Sequence, residues 1–181
     1  RLVASHIDSP RVDLKPNPLY EDAEIGYFKT HYYGGIRKYQ WTAIPLSLHG
    51  VIVKKGGEAV AVSVGEEPGE PVFSITDLLP HLSKDQDARK LGDGVRGEEL
   101  NIVIGSRPFR DDKASQKVKL AIAKLLFDKY GIVESDFQAA DLQAVPAFAP
   151  RDVGFDRSMV GAYGQDDKVC AYSSLAALMT L

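Results

Sequence analysis

A single cysteine, Cys170, stands in 181 residues. That excludes a disulfide framework and fits a reducing compartment, so the sequence points to the cytoplasm. No apolar run approaches the ~18 residues that span a bilayer, and no segment reads as a signal peptide. Basic residues are not in excess: 22 Lys and Arg stand against 25 Asp and Glu, a formal charge of -3. This argues against nucleic acid or an anionic membrane as the main partner. Hydrophobic residues make up 44% of the chain, enough for a core in one domain or one and a half. The chain carries no initiator Met, opens on an apolar run at Leu2-Val3-Ala4 and closes on another at Ala176 to Leu181. Both ends read as cut, and an internal fragment of a longer protein is expected.

The opening residues Arg1-Leu2-Val3-Ala4-Ser5-His6-Ile7-Asp8-Ser9-Pro10 carry the first chemical signal. Leu2 to Ala4 predict a buried strand, on which period-two alternation points His6 and Asp8 to the same side. Pro10 closes the strand because it cannot donate to a ladder. A metal-binding imidazole needs an acceptor to fix its tautomer, and a neighbouring carboxylate can serve. His-x-Asp alone is a weak signal, so a partner site elsewhere decides its meaning.

Further along, residues 11 to 24, with Pro16 and Pro18, predict an extended loop. Residues 25 to 33 predict a strand rich in aromatics, turned at Gly34-Gly35. The stretch Arg37-Lys38-Tyr39-Gln40-Trp41 has the composition to stack single-stranded bases, but in an acidic chain it reads better as packed aromatics. Leu46 to Lys54 and Glu58 to Gly65 predict a hairpin through Lys55-Gly56-Gly57. Pro71 to Ile75 predicts a short strand, and Thr76 to Leu82 a brief helical turn. Gly92-Asp93-Gly94-Val95-Arg96-Gly97 spells G-x-G-x-x-G, yet follows a charged stretch and precedes a strand, so no nucleotide site is expected. Ala114 to Tyr130 predicts a long helix, with Val118, Ala121, Ile122, Leu125 and Leu126 on one face and Gly131 ending it. Phe137 to Val145 predicts a strand, 147 to 164 irregular chain, and Lys168 onward a helix holding Cys170 as a buried thiol. The pattern is an α+β module rich in strands.

Before the last helix lies Gly164-Gln165-Asp166-Asp167-Lys168. Adjacent carboxylates either cap a helix start or share a cation, and spacing alone leaves both open. Four separated blocks then carry a resemblance: Ser5-His6-Ile7-Asp8-Ser9-Pro10-Arg11, Lys29 to Ile36, Pro45-Leu46-Ser47-Leu48-His49-Gly50, and Gly154 to Met159 through Gly164-Gln165-Asp166-Asp167. In this order they resemble the aminopeptidase I / aspartyl aminopeptidase family of zinc exopeptidases, most of all its bacterial aminopeptidase I branch.

The resemblance implies a metal-dependent aminopeptidase acting on peptide N-termini with two zinc ions, assembled as a large homo-oligomer such as a dodecamer. It implies an α/β catalytic domain interrupted by a β-rich, barrel-like dimerisation insert. Residues 1–12 would hold a catalytic strand, 13–147 the insert, and 148–181 the return into the catalytic domain. His6 would bind zinc, Asp8 would support it, and Asp166 would bridge both ions, with a cis peptide after it in the metal-loaded parent. The family's Glu-Glu pair, further carboxylate and distal His have no match in the residues after Asp166, so this stretch alone is expected to be inactive. His81 reads either as a half-exposed capping residue or, by the resemblance, as the insert's histidine reaching a neighbouring subunit's active site. His31 and His49 are expected to pack. Tyr32, Tyr33, Tyr39 and Trp41 are expected to anchor subunit contacts. The competing reading is a non-catalytic oligomerisation module.

Overall fold

The computed structural model describes residues 2–111 and 113–180. Seven antiparallel strands form one curled sheet in the order β4-β3-β7-β1-β2-β6-β5. These are β1 (Arg11–Asp22), β2 (Ile25–Tyr33), β3 (Leu46–Val53), β4 (Ala59–Val64), β5 (Ser74–Ile75), β6 (Ile102–Gly105) and β7 (Ala140–Pro146). With helices α1 (Lys84–Asp87), α2 (Lys117–Tyr130) and α3 (Gln165–Met179), the architecture is an α+β half-barrel, the class that the residue pattern predicts with the barrel-like curl that the resemblance implies. A separate hairpin pairs β8 (Arg151–Val153) with β9 (Met159–Gly161), inside a stretch expected to be irregular.

The longest strand, β1, occupies the predicted loop. Its turn to β2 is made by Ala23 and Glu24, both at positive φ (48° and 61°). Two left-handed residues match the twist of a tight hairpin, although neither is Gly or Asn. The two prolines are absorbed by an irregularity. Between the pairs Leu14↔Thr30 and Leu19↔Phe28, β1 advances five positions (19 − 14) while β2 advances two (30 − 28). Pro16 and Pro18 fall in the surplus, where no ladder donor is required. The opening segment shows the reverse error: residues 2–10 form no strand, and Leu2 is 95% exposed. A strand needs a neighbour to satisfy its backbone groups, and the described residues supply none there.

The β3–β4 hairpin forms as expected, with Lys54 N–H donating to Glu58 O (2.8 Å) and Gly57 at φ 85°. On the other side β3 pairs with β7 over Leu46↔Pro146 to Ile52↔Ala140. At Gly50 the backbones come so close that a Cβ would lie 1.9 Å from Asp141 O. The core unites Val12, Phe28, Leu46, Ile52, Leu100, Ile102 and Leu142 from across the sheet. Trp41 joins it at 7% exposure, so it is a core residue rather than an exposed subunit anchor. Tyr33 and Tyr39 remain exposed.

Helix α2 begins three residues later than the pattern suggests and ends as read: Gly131, at φ 64°, donates its N–H to Phe127 O (2.7 Å). Val118 is buried against Gly26, and Ile122 and Leu126 pack on the core, whereas Leu125 stays 62% exposed. The helical turn expected over 76–82 is displaced to α1, whose preceding Ser83 donates its hydroxyl to Asp87 Oδ2 (2.8 Å). On α3, Val169, Tyr172, Leu175 and Leu178 are exposed, and so is Cys170. The expectation of a buried thiol fails because the apolar side chains around it on α3 have no cover.

Candidate metal centre

Two segments far apart in sequence meet beside the sheet. The arm ending at Pro10 enters β1, and the turn through Gly164 leads into α3. Tyr163 Oη donates to Pro10 O (2.7 Å), and Ser9 Oγ donates to Asp166 O (3.0 Å). Gly164 takes φ 85°, a conformation that suits a residue without Cβ. Its carbonyl accepts from Lys168 N–H (3.1 Å), which starts the regular part of α3. Asp166 and Asp167 precede it with non-helical backbone angles, and the peptide bond between them is cis. Both residues lie at the helix entrance, ahead of its regular part.

Here His6 Nδ1 pairs with Asp167 Oδ2. The two adjacent carboxyl groups also share a hydrogen bond and titrate as a pair. That bond raises the Asp166 pKa and lowers that of Asp167, with the His6 contact holding Asp167 down further. Asp8 is turned elsewhere: its Oδ2 accepts from Tyr33 Oη (2.7 Å). This bond is the main reason the Tyr33 pKa lies above the ordinary tyrosine value, since ionised Asp8 disfavours a phenolate. Arg11 stacks its guanidinium 3.8 Å from the centre of the Tyr33 ring and donates to Asp13 Oδ1 (2.9 Å).

The structure thus joins His6 and the Asp166–Asp167 pair, ties Asp8 to the end of β2, and leaves His81 exposed in the loop before α1. Among the described residues His81 makes no hydrogen bond or ring contact. His31 is exposed and stacks on Tyr32 (5.3 Å). His49 is half-buried in a polar cluster, with Nε2 3.0 Å from Ser47 Oγ and 2.9 Å from Glu66 Oε1. Hydrogen bonds from Ser47 and then His49 hold the Glu66 pKa below the ordinary glutamate value. Asp167, Ser9, Tyr33 and Tyr163 are the contacts that sequence reasoning did not assign. Only the Asp-Asp pair was a visible signal; the others depend on tertiary register.

Imidazole nitrogen and carboxylate oxygen are donors that zinc accepts in both structural and catalytic sites. The donor set of His6, Asp166 and Asp167 fits part of such a site. Among the described residues, no group of three or more His, Cys, Asp or Glu is arranged to hold a metal ion by itself. The same residues also hold no helix long and apolar enough to cross a membrane.

The profile of the aminopeptidase I zinc metalloprotease (M18) family matches residues 1–181, and the chain belongs to that family. It is 54% identical over 181 residues to a probable M18 family aminopeptidase 1 of Clostridium acetobutylicum, covering 100% of this chain and 39% of the relative. It is 51% identical over 179 residues to the Thermotoga maritima counterpart, covering 99% of this chain and 39% of the relative. The crystal structure of the M18 aminopeptidase from Thermotoga maritima superimposes with a TM-score of 0.90, covering 96% of this chain and 38% of that one. The fold is shared with the S. cerevisiae mApe1 dodecamer at 22% identity and a TM-score of 0.61, covering 97% of this chain and 37% of that one. The chain therefore spans about two fifths of the length of the curated relatives it matches.

Proposed function

We propose that this chain supplies part of the dinuclear zinc centre of an aminopeptidase that removes N-terminal residues from peptides. The observation that carries this reading is the meeting of His6 with the Asp166–Asp167 pair, 161 residues apart in sequence. In this reading His6 and Asp166 are metal ligands, and Asp167 holds the His6 ring through Nδ1, leaving Nε2 for the metal. Asp8, tied to Tyr33, positions the arm that carries His6. Bound zinc would supply Lewis acidity toward the scissile carbonyl and a water of lowered pKa. The remaining ligands and the general base are assigned to the part of the relatives that this chain does not match. Residues 1–181 alone should thus turn over no peptide.

In the same reading, residues 1–12 and 148–181 belong to the catalytic domain, and 13–147 form the dimerisation insert of a homo-oligomer located in the cytoplasm. His81 would reach a neighbouring subunit's substrate. The dodecameric S. cerevisiae neighbour supports the oligomer, and the exposure of His81 is compatible with that role. The test is zinc content and hydrolysis of an amino-acid anilide panel by the full-length protein. His6→Ala and Asp166→Asn should each lower zinc occupancy and turnover together while the oligomer persists. A full-length protein that binds no zinc and hydrolyses no substrate, yet assembles stably, would establish the oligomerisation module instead.

A further inference from the structure

The two end strands of the sheet differ. At one end β5 is only two residues long and is tied to the chain ahead of β3 by the bridge Thr42↔Ile75. At the other, β4 runs for six residues, Ala59-Val60-Ala61-Val62-Ser63-Val64, with β3 as its single neighbour. The hydrogen bond from Lys54 N–H to Glu58 O (2.8 Å) sets the phase of that pairing. By antiparallel alternation, Val60, Val62 and Val64 turn their backbone groups toward Ile52, Gly50 and Leu48. Ala59, Ala61 and Ser63 therefore turn theirs outward, and among the described residues no hydrogen bond is made to those groups. Sheets of monomers protect such an edge with a charge, a proline or a bulge. Strand β4 has none of these: it carries no charged residue and no proline, and its register with β3 is unbroken. A short apolar strand of this kind is a ready template for another strand.

The strand is complementary to itself. Placed antiparallel about a two-fold axis at Ala61, two copies set Ala61 opposite Ala61 and Ala59 opposite Ser63, so that every outward N–H and C=O finds a partner. The exposed side chains at these positions are small and do not obstruct the approach. On the other face Val60 meets Val62 of the second copy, a favourable pairing of β-branched residues. The charges at the two ends of β4 agree with the same axis. Lys54-Lys55 precede the strand and Glu66-Glu67 follow it. Lys54 is paired with Glu58 (3.2 Å) and Glu66 with His49 (2.9 Å), whereas Lys55 and Glu67 are exposed and make no ion pair among the described residues. The axis at Ala61 brings Lys55 of each copy toward Glu67 of the other.

We propose that β4 pairs antiparallel with β4 of a second copy of this chain about a two-fold axis at Ala61, fusing two sheets into one. This rests on the reading of residues 13–147 as the insert that joins copies, and it assigns the strand through which they join. Sedimentation of the full-length protein tests it. Ala61→Pro removes an outward N–H at an edge position where a single sheet tolerates proline. The variant should keep its circular dichroism while the mass of the assembly falls about two-fold or more. Lys55→Glu should weaken the pairing about three-fold, and adding Glu67→Lys should restore it, because each copy then carries both reversed charges. Cross-linking in a Cys170→Ser background reads the register. Ala61→Cys sets two Cα atoms about 5.5 Å apart, within disulfide range, and should link two copies under a mild oxidant. Ser63→Cys should not, since its counterpart lies about 13 Å away along the strand. An Ala61→Pro protein that folds and keeps its mass overturns the proposal and leaves the insert reading standing, whereas a monomeric wild type overturns both. Linkage through Ser63→Cys in place of Ala61→Cys, or a second charge reversal that restores nothing, also overturns it. Should Ala61→Pro fail to fold, the cross-linking decides: no link through Ala61→Cys sinks the assignment.

Discussion

The sheet of residues 11–146 and the arms that flank it are built on opposite terms. In the sheet, apolar side chains from strands distant in sequence bury one another, and backbone groups are paired between neighbouring strands. In the arms, Leu2, Ile7, Val169, Tyr172, Leu175 and Leu178 face solvent, while the ordered contacts are polar: His6 to Asp167, Ser9 to Asp166 and Tyr163 to Pro10. Buried apolar packing and the contact of His6 with Asp167 thus lie in separate parts of the molecule. The sheet carries its own core, whereas the arms that bear His6 and Asp166 hold their geometry by a few hydrogen bonds between two crossing segments.

The sharpest way to break this comparison is to truncate one leucine in each region. Leu46, fully buried, should cost about 2–5 kcal/mol on Leu46→Ala in urea unfolding of the 181-residue chain. Leu175→Ala on α3 should stay within ~0.5 kcal/mol in the same chain. If the proposed catalytic domain covers α3, that second value should rise in the full-length protein. Equal losses for both variants in the short chain would mean that the arms share the core after all.

A smaller loss is expected from Gly50→Ala, about 2–4 kcal/mol, because the new methyl meets Asp141 O and the backbone sits at φ 137°. Hydrogen exchange should show the β3–β7 ladder opening while the amides near Asp167 stay unchanged.

A small, pH-dependent effect belongs to the sheet's rim. Glu66 has a lowered folded-state pKa, so its contribution is fully present above the ordinary glutamate value and is lost as pH falls through the lower folded value. Its side chain is half exposed, which holds the contribution to roughly 0.2–1 kcal/mol. The urea midpoints of wild type and Glu66→Gln should differ near neutrality and converge in acid. A gap that persists in acid would assign the stabilisation to packing rather than charge.

The β3–β4 hairpin was legible because Gly56-Gly57 states its turn in residue types. Strand β1 was not, since Ala23 and Glu24 adopt positive φ without advertising it and Pro16 and Pro18 imitate a loop. The segment 2–10 misled for the converse reason: Leu2-Val3-Ala4 has the composition of a strand, and composition does not say whether a neighbouring ladder exists. At the site, His6 and Asp166 stood out through blocks of resemblance. That Asp167 touches His6, and that Asp8 turns to Tyr33, follows from where two distant segments cross, which no local pattern encodes.

That crossing has a further consequence. Pro10 and Tyr163 are 153 positions apart, yet one hydrogen bond joins them. The whole sheet is a loop tied at its neck. The entropy of closing such a loop grows only with the logarithm of its length. Residues added to or removed from surface turns inside it, such as Glu66 to Gly69, should leave the separation of His6 and Asp166 unchanged. What hangs below the neck is free to vary in size and surface while the neck keeps its shape.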